Sequence, residues 1–575
     1  MSELGLQLIE AYRSGNFLKA VNDARYAETV SGSLASEISA LHNSGAIDVV
    51  AAFKALENTP GTGLNFYVTL YVFTLVLPNI ESSVESIMAT VIHLQKAAGT
   101  DLAAGMILDS FAAFSAKDPA RPATALRAIE ADPAQYADLL PATLIAGSQL
   151  DGDLYHSEAV RVLRSGVIGL RQRAAFALGN MAAPSTPAVS SASLAALEEA
   201  ANLEKDDRLL ATVVRSAIGL LRRSDTLEAP VLSLIDRVLA SESDPILLAA
   251  ADALMSKPSA KVVGVLLRHL QKVKPGSQGI LGQLDLAISM MLDGTDRERG
   301  IEFVEKYLLA HPGLDFDVFK LTAQKVAADA KLLATVLTRW LLRGEHVLCS
   351  GIASVVRDFH AQSANLEVEP TEIQPLDPLH IIFLARKVVG YLFLYPVPAA
   401  SSLVSLMKQT DDGPTLQALG DLLEYPLLMS FPGAAGEFVT RAIGATSEKV
   451  GQMLERAHRN FESYLQTLKS MPDIPVLHLS EAQREAQHRR LSRLMARSYK
   501  EVQKESFFFG HVRRSLILYG EASVYHSLEP GGSSNRVAMA LRPVRTNFEM
   551  PRMDPIDPVG LEIFVRTCKS EQLKP

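Results

Sequence analysis

The chain has 575 residues, 48% of them hydrophobic but only 6% aromatic, and a formal net charge of −8. Its length exceeds the roughly 250 to 300 residues at which one compact core stops growing, so we expect several domains or an open-ended stack. The small net charge excludes a strong overall field toward nucleic acid or anionic lipid. The two cysteines, Cys349 and Cys568, are too few for a disulfide framework or a cysteine-built zinc site, and we expect a reducing, cytoplasmic setting.

The N-terminal segment, residues 1–150, is predicted to form helices that are less regular than those that follow. Its letters AYRSGNFLKA place Tyr12, Gly15, Phe17 and Ala20 at spacings that resemble the inner turn of a tetratricopeptide hairpin. The alternative is a terminal capping hairpin that covers the apolar face of the first repeat. The run LNFYVTLYVFTLVL is shorter than the roughly twenty residues that cross a bilayer, so we predict a buried helix there.

Residues 151–362 repeat one unit, an apolar helix, a polar break and a second apolar helix, at intervals of about 32 to 37 residues. Paired helices at a fixed pitch predict an α-solenoid, in which neighbouring repeats bury each other's apolar faces and leave an extended surface for partners. The first helices are predicted near Asp153, Ser190, Leu227, Ser259, Thr295 and Ala328, and their partners near Val167, Lys205, Asp244, Gly276, Leu314 and Gly344.

Two of these helices carry a family resemblance. The order of charges, alanines and leucines in Arg171–Met181 and Asp244–Met255 resembles the second helix of HEAT repeats. In the later segment we expect Asp244 to cap the helix and Pro245 to occupy its first turn. HEAT repeats have no family-wide catalytic residues, so the resemblance implies a scaffold or adaptor.

Beyond the repeats the chain changes composition twice. Residues 363–378 contain three prolines and several acidic residues, which favours an extended connector. Residues 379–470 are predicted to form further helical hairpins that end in a longer helix, Ser447–Ser470. The letters MPDIPVL then predict a hinge and the last boundary.

The final segment, residues 471–575, is basic: Glu481 to Arg552 hold thirteen lysines and arginines against seven acidic residues. If Ser480 caps a helix that runs to about Ser506, its cations recur every three or four residues on one face, opposite an apolar side. Such a helix suits phosphates, acidic proteins or an anionic surface. The alternative is a solvated face docked on the solenoid by its apolar side. The residues that we predict to contact phosphate or an acidic partner are Arg489, Arg493, Arg497, Lys500, Lys504, Arg513 and Arg514.

The helical period fades after Gly510. We predict a small β-rich appendage there, with strands in Arg514–His526, Asn535–Arg545 and Gly560–Cys568. The predicted fold is therefore all-α, a HEAT-like α-solenoid of stacked helical hairpins with a small C-terminal basic α+β appendage.

The chain lacks a phosphate-binding loop, an HExxH motif, a GxSxG elbow and a paired CxxC, so we expect no enzyme, no cofactor and no metal site. We interpret it as a non-catalytic protein-binding scaffold or adaptor in a multi-subunit complex, cytoplasmic and without a transmembrane segment. The alternative is a nucleic-acid-binding protein that uses the C-terminal basic helix and appendage. A third hypothesis is an enzyme whose site lies after Gly510.

Overall fold

A computed structural model of the chain describes residues 2–25, 32–58, 64–99, 101, 103–165, 167–203, 205–359, 365–373, 376–472, 479–505, 522–528, 534–540 and 549–573. The fold is all-α apart from one hairpin in this described part, and it divides into two compact units, Met1–Asp329 and Ala330–Pro575. The five sequence segments with boundaries at residues 150, 362, 378 and 470 stay a prediction.

The first unit opens with short helices. Asp48 and Asn65 start two of them, because each side chain accepts a hydrogen bond from the backbone N–H three residues later. Phe73 and Val76 are wholly buried, so the apolar run is a buried helix, as predicted. No helix among the described residues is both long and apolar enough to cross a membrane. The helices are Glu3–Arg13 (α1), Phe17–Asp23 (α2), Ser33–Asn43 (α3), Val49–Lys54 (α4), Phe66–Val76 (α5), Val84–Ala98 (α6), Ala103–Ser115 (α7), Ala120–Ala131 (α8) and Pro133–Tyr136 (α9).

The rest of the first unit is a regular stack of helical hairpins. The helix with the HEAT-like letters begins at Asp244, one residue after its N-cap Ser243, so Asp244 lies in the first turn and is not the predicted cap. Its carboxylate still opposes the positive end of the helix dipole. The helices are Leu140–Leu150 (α10), Gly152–Leu163 (α11), Ile168–Asn180 (α12), Pro187–Leu203 (α13), Asp207–Leu221 (α14), Glu228–Leu239 (α15), Asp244–Met255 (α16), Ala260–Leu270 (α17), Gln278–Met291 (α18), Arg297–Ala310 (α19) and Lys320–Ala328 (α20).

These helices form two layers. The even-numbered helices α10 to α20 pack in sequence against one another, and the odd-numbered helices α11 to α17 form the second layer. Each helix also packs against its neighbour in the chain, as α11 does on α12 and α16 on α17. This alternation is the architecture of stacked hairpins, in which every repeat covers the apolar face of the next.

The repeat length is visible in the ion pairs between neighbouring hairpins. Arg164 pairs with Glu199 at 2.9 Å, and Arg268 pairs with Asp236 at 2.7 Å. These partners are 35 and 32 residues apart in the sequence. Exposed pairs of this kind contribute little stability each. Their spacing nevertheless shows that one hairpin of the predicted length lies against the next.

The closest approach in the stack joins α12 and α14. A Cβ added at Gly179 would lie 2.5 Å from Cα of Ser216, and one added at Gly219 would lie 2.8 Å from the carbonyl carbon of Gly179. Real side chains do not tolerate such distances to backbone atoms, so the two helices require glycine at both positions. Small residues therefore set the helix spacing in this part of the even-numbered layer.

His156 on α11 is wholly buried between the layers. Its Nε2 lies 3.0 Å from the carbonyl oxygen of Ala182, and its Nδ1 lies 3.0 Å from Oγ of Ser193. The carbonyl requires Nε2 to donate, so neutral His156 accepts from the serine hydroxyl through Nδ1. Burial lowers the pKa of His156 below its ordinary value, which keeps the ring neutral.

We expect the first unit to lose stability on mild acidification through His156. Because its folded pKa is lowered, the unfolded chain binds more protons between that pKa and about pH 6.5, so stability falls as the pH falls through this window. Urea unfolding of the chain at about pH 7.5 and about pH 5 measures the loss. His156→Gln should be less stable at the higher pH and should show a smaller loss. An equal loss in both proteins would contradict this assignment.

The described part of the second unit consists of helices, a connecting segment and a hairpin. The chain is kinked within Leu423–Leu428, where Tyr425 leaves the helical conformation (φ −124°, ψ 123°) directly before Pro426. The helices are Ala330–Arg343 (α21), His346–Phe359 (α22), Pro378–Leu392 (α23), Pro396–Met407 (α24), Gly413–Leu422 (α25), Ala434–Ile443 (α26), Glu448–Ser470 (α27), Glu481–Glu505 (α28), Met553–Ile556 (α29) and Pro558–Ser570 (α30).

The predicted connector is described at residues 365–373, where it is extended up to a 3-10 turn, Pro370–Glu372, and it packs into the second unit. The backbone N–H groups of Leu366 and Val368 donate to the hydroxyls of Ser401 and Ser405 on α24, at 2.8 and 3.1 Å. Both apolar side chains are buried. The segment therefore acts as part of the core of this unit.

The C-terminal part corrects one prediction. Ala522–Leu528 (β1) and Ser534–Ala540 (β2) pair as an antiparallel hairpin, with Ala522 opposite Ala540. The third predicted strand, Gly560–Cys568, lies instead in helix α30. Asp557 caps this helix by accepting from the N–H of Gly560, and Pro558 occupies the first turn, so local capping overrides the strand propensity of the β-branched and aromatic residues. The predicted α+β appendage is therefore not supported.

Candidate binding surface

The predicted basic helix is present as α28. Ser480 and Gln483 form a reciprocal capping box: the N–H of Gln483 donates to Oγ of Ser480 at 3.3 Å, and the N–H of Ser480 donates to Oε1 of Gln483 at 2.9 Å. Two otherwise unsatisfied N–H groups are paired in this way, which fixes the start of the helix.

No other described part of the chain covers the described side chains of α28. Every described side chain from Glu481 to Ala496 is exposed. This set includes Leu491, Leu494 and Met495, and the last two are 49% and 62% exposed. The alternative of a helix docked by its apolar side is therefore wrong for these residues. A basic helix that also exposes its apolar side chains is available to a partner.

The structure places the predicted contact residues as follows. Arg489 and Arg493 are exposed, one turn apart on α28. Arg489 also pairs with Glu485 at 3.2 Å, an exposed pair of small energetic value. Arg497, Lys500 and Lys504 lie further along the same helix. Arg513 and Arg514 lie outside the described residues.

A cleft lies beside this helix in the second unit. It has a volume of about 670 Å³ and is bounded by α22, the end of α23, α29, α30 and one residue of α28, Arg490. The volume is in the range of cavities that hold small ligands or a few side chains of a partner. Arg490 is not among the predicted contact residues, because the three- and four-residue spacing of the basic face passes through its neighbour Arg489.

The wall of the cleft contains a buried tyrosine. Tyr391 is mostly buried, its hydroxyl lies 2.9 Å from Nδ1 of His346, and burial raises its pKa. The ammonium of Lys569 lies 5.4 Å from the centroid of the Tyr391 ring. This cation–π contact orients the lysine at the cleft without neutralising its charge.

The charges around the cleft are not balanced. Arg566 pairs with Glu562 at 2.6 Å, which neutralises both groups in part. Arg490 and Lys569 have no carboxylate within 4.0 Å among the described residues. Asp554 is a further acidic residue at the rim. The cleft thus offers two unpaired cations to an anionic group.

Close packing of α30 on α23 holds this wall in place. A Cβ added at Gly390 would lie 2.9 Å from the backbone nitrogen of Lys569, so glycine permits the backbones to approach. The wholly buried Lys387 donates from Nζ to the carbonyl oxygen of Lys569 at 2.6 Å. It satisfies a carbonyl in the last turn of α30, where a cation also favours the helix dipole. Arg386 and Glu571 add an ion pair of 2.8 Å.

The two cysteines lie in the same unit and are free thiols, both buried. Burial raises the pKa of Cys349 to about 12 and that of Cys568 to about 11. Both are therefore protonated at neutral pH and react slowly. Within the described part of the chain, no group of three or more histidine, cysteine or acidic side chains is arranged to hold a metal ion.

Comparisons with known proteins do not show a family. No protein-family model matches the chain. No curated protein matches it either. Four chains of solved structures match. One of them is an engineered protein solved by the Northeast Structural Genomics Consortium, which is 16% identical, with 80% of this chain and 99% of that chain covered and a TM-score of 0.22.

Proposed function

We propose that this chain is a non-catalytic protein-binding scaffold of the cytoplasm, with HEAT-like repeats, that joins a protein partner within a multi-subunit complex. The observation that carries the proposal is α28, whose described basic and apolar side chains are all exposed. An amphipathic helix that its own chain leaves uncovered suits recognition by another macromolecule.

The first unit supports the proposal independently. Its hairpins form two layers with contacts repeated at a pitch of 32 to 35 residues. Such stacks present long surfaces, and their use as binding platforms follows from that geometry. The two buried free thiols suit a reducing compartment.

Nucleic-acid binding is a second candidate, and the observation that favours it is the arginine content of α28. Arg489 and Arg493 are exposed one turn apart, and guanidinium groups bind phosphate through two parallel hydrogen bonds. This function requires affinity that falls steeply with salt, because phosphate contacts release counterions.

Affinity capture of the tagged chain at near-physiological salt, with and without nuclease, separates the two functions. We expect a protein partner that survives nuclease and is recovered near stoichiometrically. The double variant Arg489→Glu, Arg493→Glu should reduce its recovery by about tenfold, because two contact charges are reversed.

The matched control reverses two exposed cations of α27, Arg459→Glu with Lys469→Glu, and should leave recovery unchanged. Nucleic acid that co-purifies and disappears in the α28 variant would favour the second candidate. If the α28 variant retains every macromolecule that the wild-type chain binds, both proposed uses of α28 would be contradicted.

A further inference from the structure

We propose that the cleft beside Arg490 binds carboxylate side chains of an acidic, leucine-containing segment of the partner protein. The inference rests on the proposed scaffold function and names the chemistry of the partner at one of its surfaces. It is argued from the unpaired cations of the cleft, from two exposed leucines and from the burial of two of the three aromatic rings that line the cleft.

The anionic part of the ligand follows from Arg490 and Lys569. Both line the cleft, and neither has a carboxylate within 4.0 Å among the described residues. A partner carboxylate in the cleft would gain a charge-assisted hydrogen bond from each of these cations that it reaches. The contact of Lys569 with the Tyr391 ring holds one of these donors in position before binding.

The apolar part follows from two leucines next to these cations. Leu394 lines the cleft and is 61% exposed. Leu494 lies one turn after Arg490, on the same side of α28, and is also exposed. Burying both against apolar side chains of a partner would add to the affinity, at about 25 cal/mol per Å² of apolar surface removed from water.

The same cleft is poorly suited to a nucleic-acid strand. Of its three aromatic side chains, Tyr391 and Phe393 are only 8% and 6% exposed, so their ring faces are not open for base stacking, and Tyr395 alone is half-buried. The carboxylates of Asp554 and Glu562 also line the cleft and would repel a run of phosphates. A segment with spaced carboxylates can avoid both acidic groups, whereas a continuous phosphate backbone cannot.

The test is fluorescence anisotropy of the full chain with a fluorescein-labelled peptide of four Glu-Glu-Leu repeats. Arg490→Glu should weaken binding about tenfold, the effect expected for reversing one contact charge. The matched control is Arg484→Glu, an equal charge change on the same helix about 120° around the axis, which should change affinity less than twofold. Leu394→Ser should weaken binding without any change in charge.

Several outcomes would overturn the inference. One is no binding of the peptide to the wild-type chain, and another is equal weakening by Arg490→Glu and Arg484→Glu, which would show a non-specific charge effect. Tighter binding of single-stranded oligouridylate than of the peptide, with the same dependence on Arg490, would assign the cleft to nucleic acid. A last outcome is a partner whose capture depends on Arg489 and Arg493 while the peptide does not bind. That result would reject this inference alone and leave the scaffold function intact.

Discussion

Gly219→Ala should lower the free energy of unfolding of the first unit by about 3 kcal/mol, the scale of an overpacked core. The added Cβ would lie 2.8 Å from the carbonyl carbon of Gly179 and closer to its oxygen. Both are backbone atoms, so helices α12 and α14 must separate. Helix propensity alone would make the alanine variant more stable by about 1 kcal/mol. A net loss in the free energy of unfolding would therefore show that the contact between α12 and α14 outweighs helix propensity. Urea unfolding followed by circular dichroism measures the change.

Gly264→Ala is the matched control. Gly264 lies in helix α17 of the same unit, and nothing lies within 4 Å of the Cβ that alanine would add. We expect the same substitution to be neutral or to stabilise by about 0.5 to 1 kcal/mol. Equal effects at the two positions would mean that α12 and α14 do not approach as closely as described.

Gly390→Ala should loosen helix α30 and expose Cys568. Its Cβ would meet the backbone nitrogen of Lys569 at 2.9 Å and the carbonyl carbon of Cys568 at 3.1 Å. Cys568 is buried, and its pKa is raised to about 11. We expect the free energy that docks α30 on α23 to fall by about 1 to 3 kcal/mol. Because the helix then opens more often, this thiol should be alkylated at least about fivefold faster. Mass spectrometry after timed iodoacetamide treatment measures both cysteines separately.

Two internal comparisons control this experiment. Cys349 is also buried, and none of the atoms nearest to the new Cβ belongs to it. Its alkylation rate should therefore stay low. Gly436→Ala on α26 adds a Cβ with nothing within 4 Å and should leave both thiols protected. An unchanged rate at Cys568 in Gly390→Ala would show that α30 is not held by this contact.

Local patterns were sufficient to predict most of the helices. The helix Asp244–Met255 was predicted from Pro245 and an alanine-rich apolar face, although its N-cap is Ser243 and not the predicted Asp244. Its predicted core residues Ala250, Ala251 and Leu254 are buried. The basic helix was also predicted correctly, from Ser480 and a regular spacing of cations.

The same local reasoning failed at Gly560–Cys568. Its letters GLEIFVRTC contain a run of β-branched and aromatic residues, which indicated a strand. The pair Asp557 and Pro558 directly before it is an N-cap followed by a first-turn proline, and this signal would have predicted a helix. A capping signal directly before a short apolar run is therefore a better guide to its structure than the strand propensity of its residues.

The cleft could not be predicted from the sequence. It depends on the contact of Lys387 with Lys569, residues 182 apart, which brings α30 against α23. Only this long-range packing shows that Arg490, and not Arg489, lines the cleft. The sequence carries no periodic or motif signal for such a contact.

Hydrogen–deuterium exchange on the captured complex tests the central claim, that α28 is a protein-binding surface, most directly. Compared with the free chain, the amides of Glu481–Ala496 should exchange more slowly in the complex, because a bound partner covers the helix and reduces its local opening. Unchanged exchange across this helix in a stoichiometric, nuclease-resistant complex would contradict the claim and assign the partner to another surface.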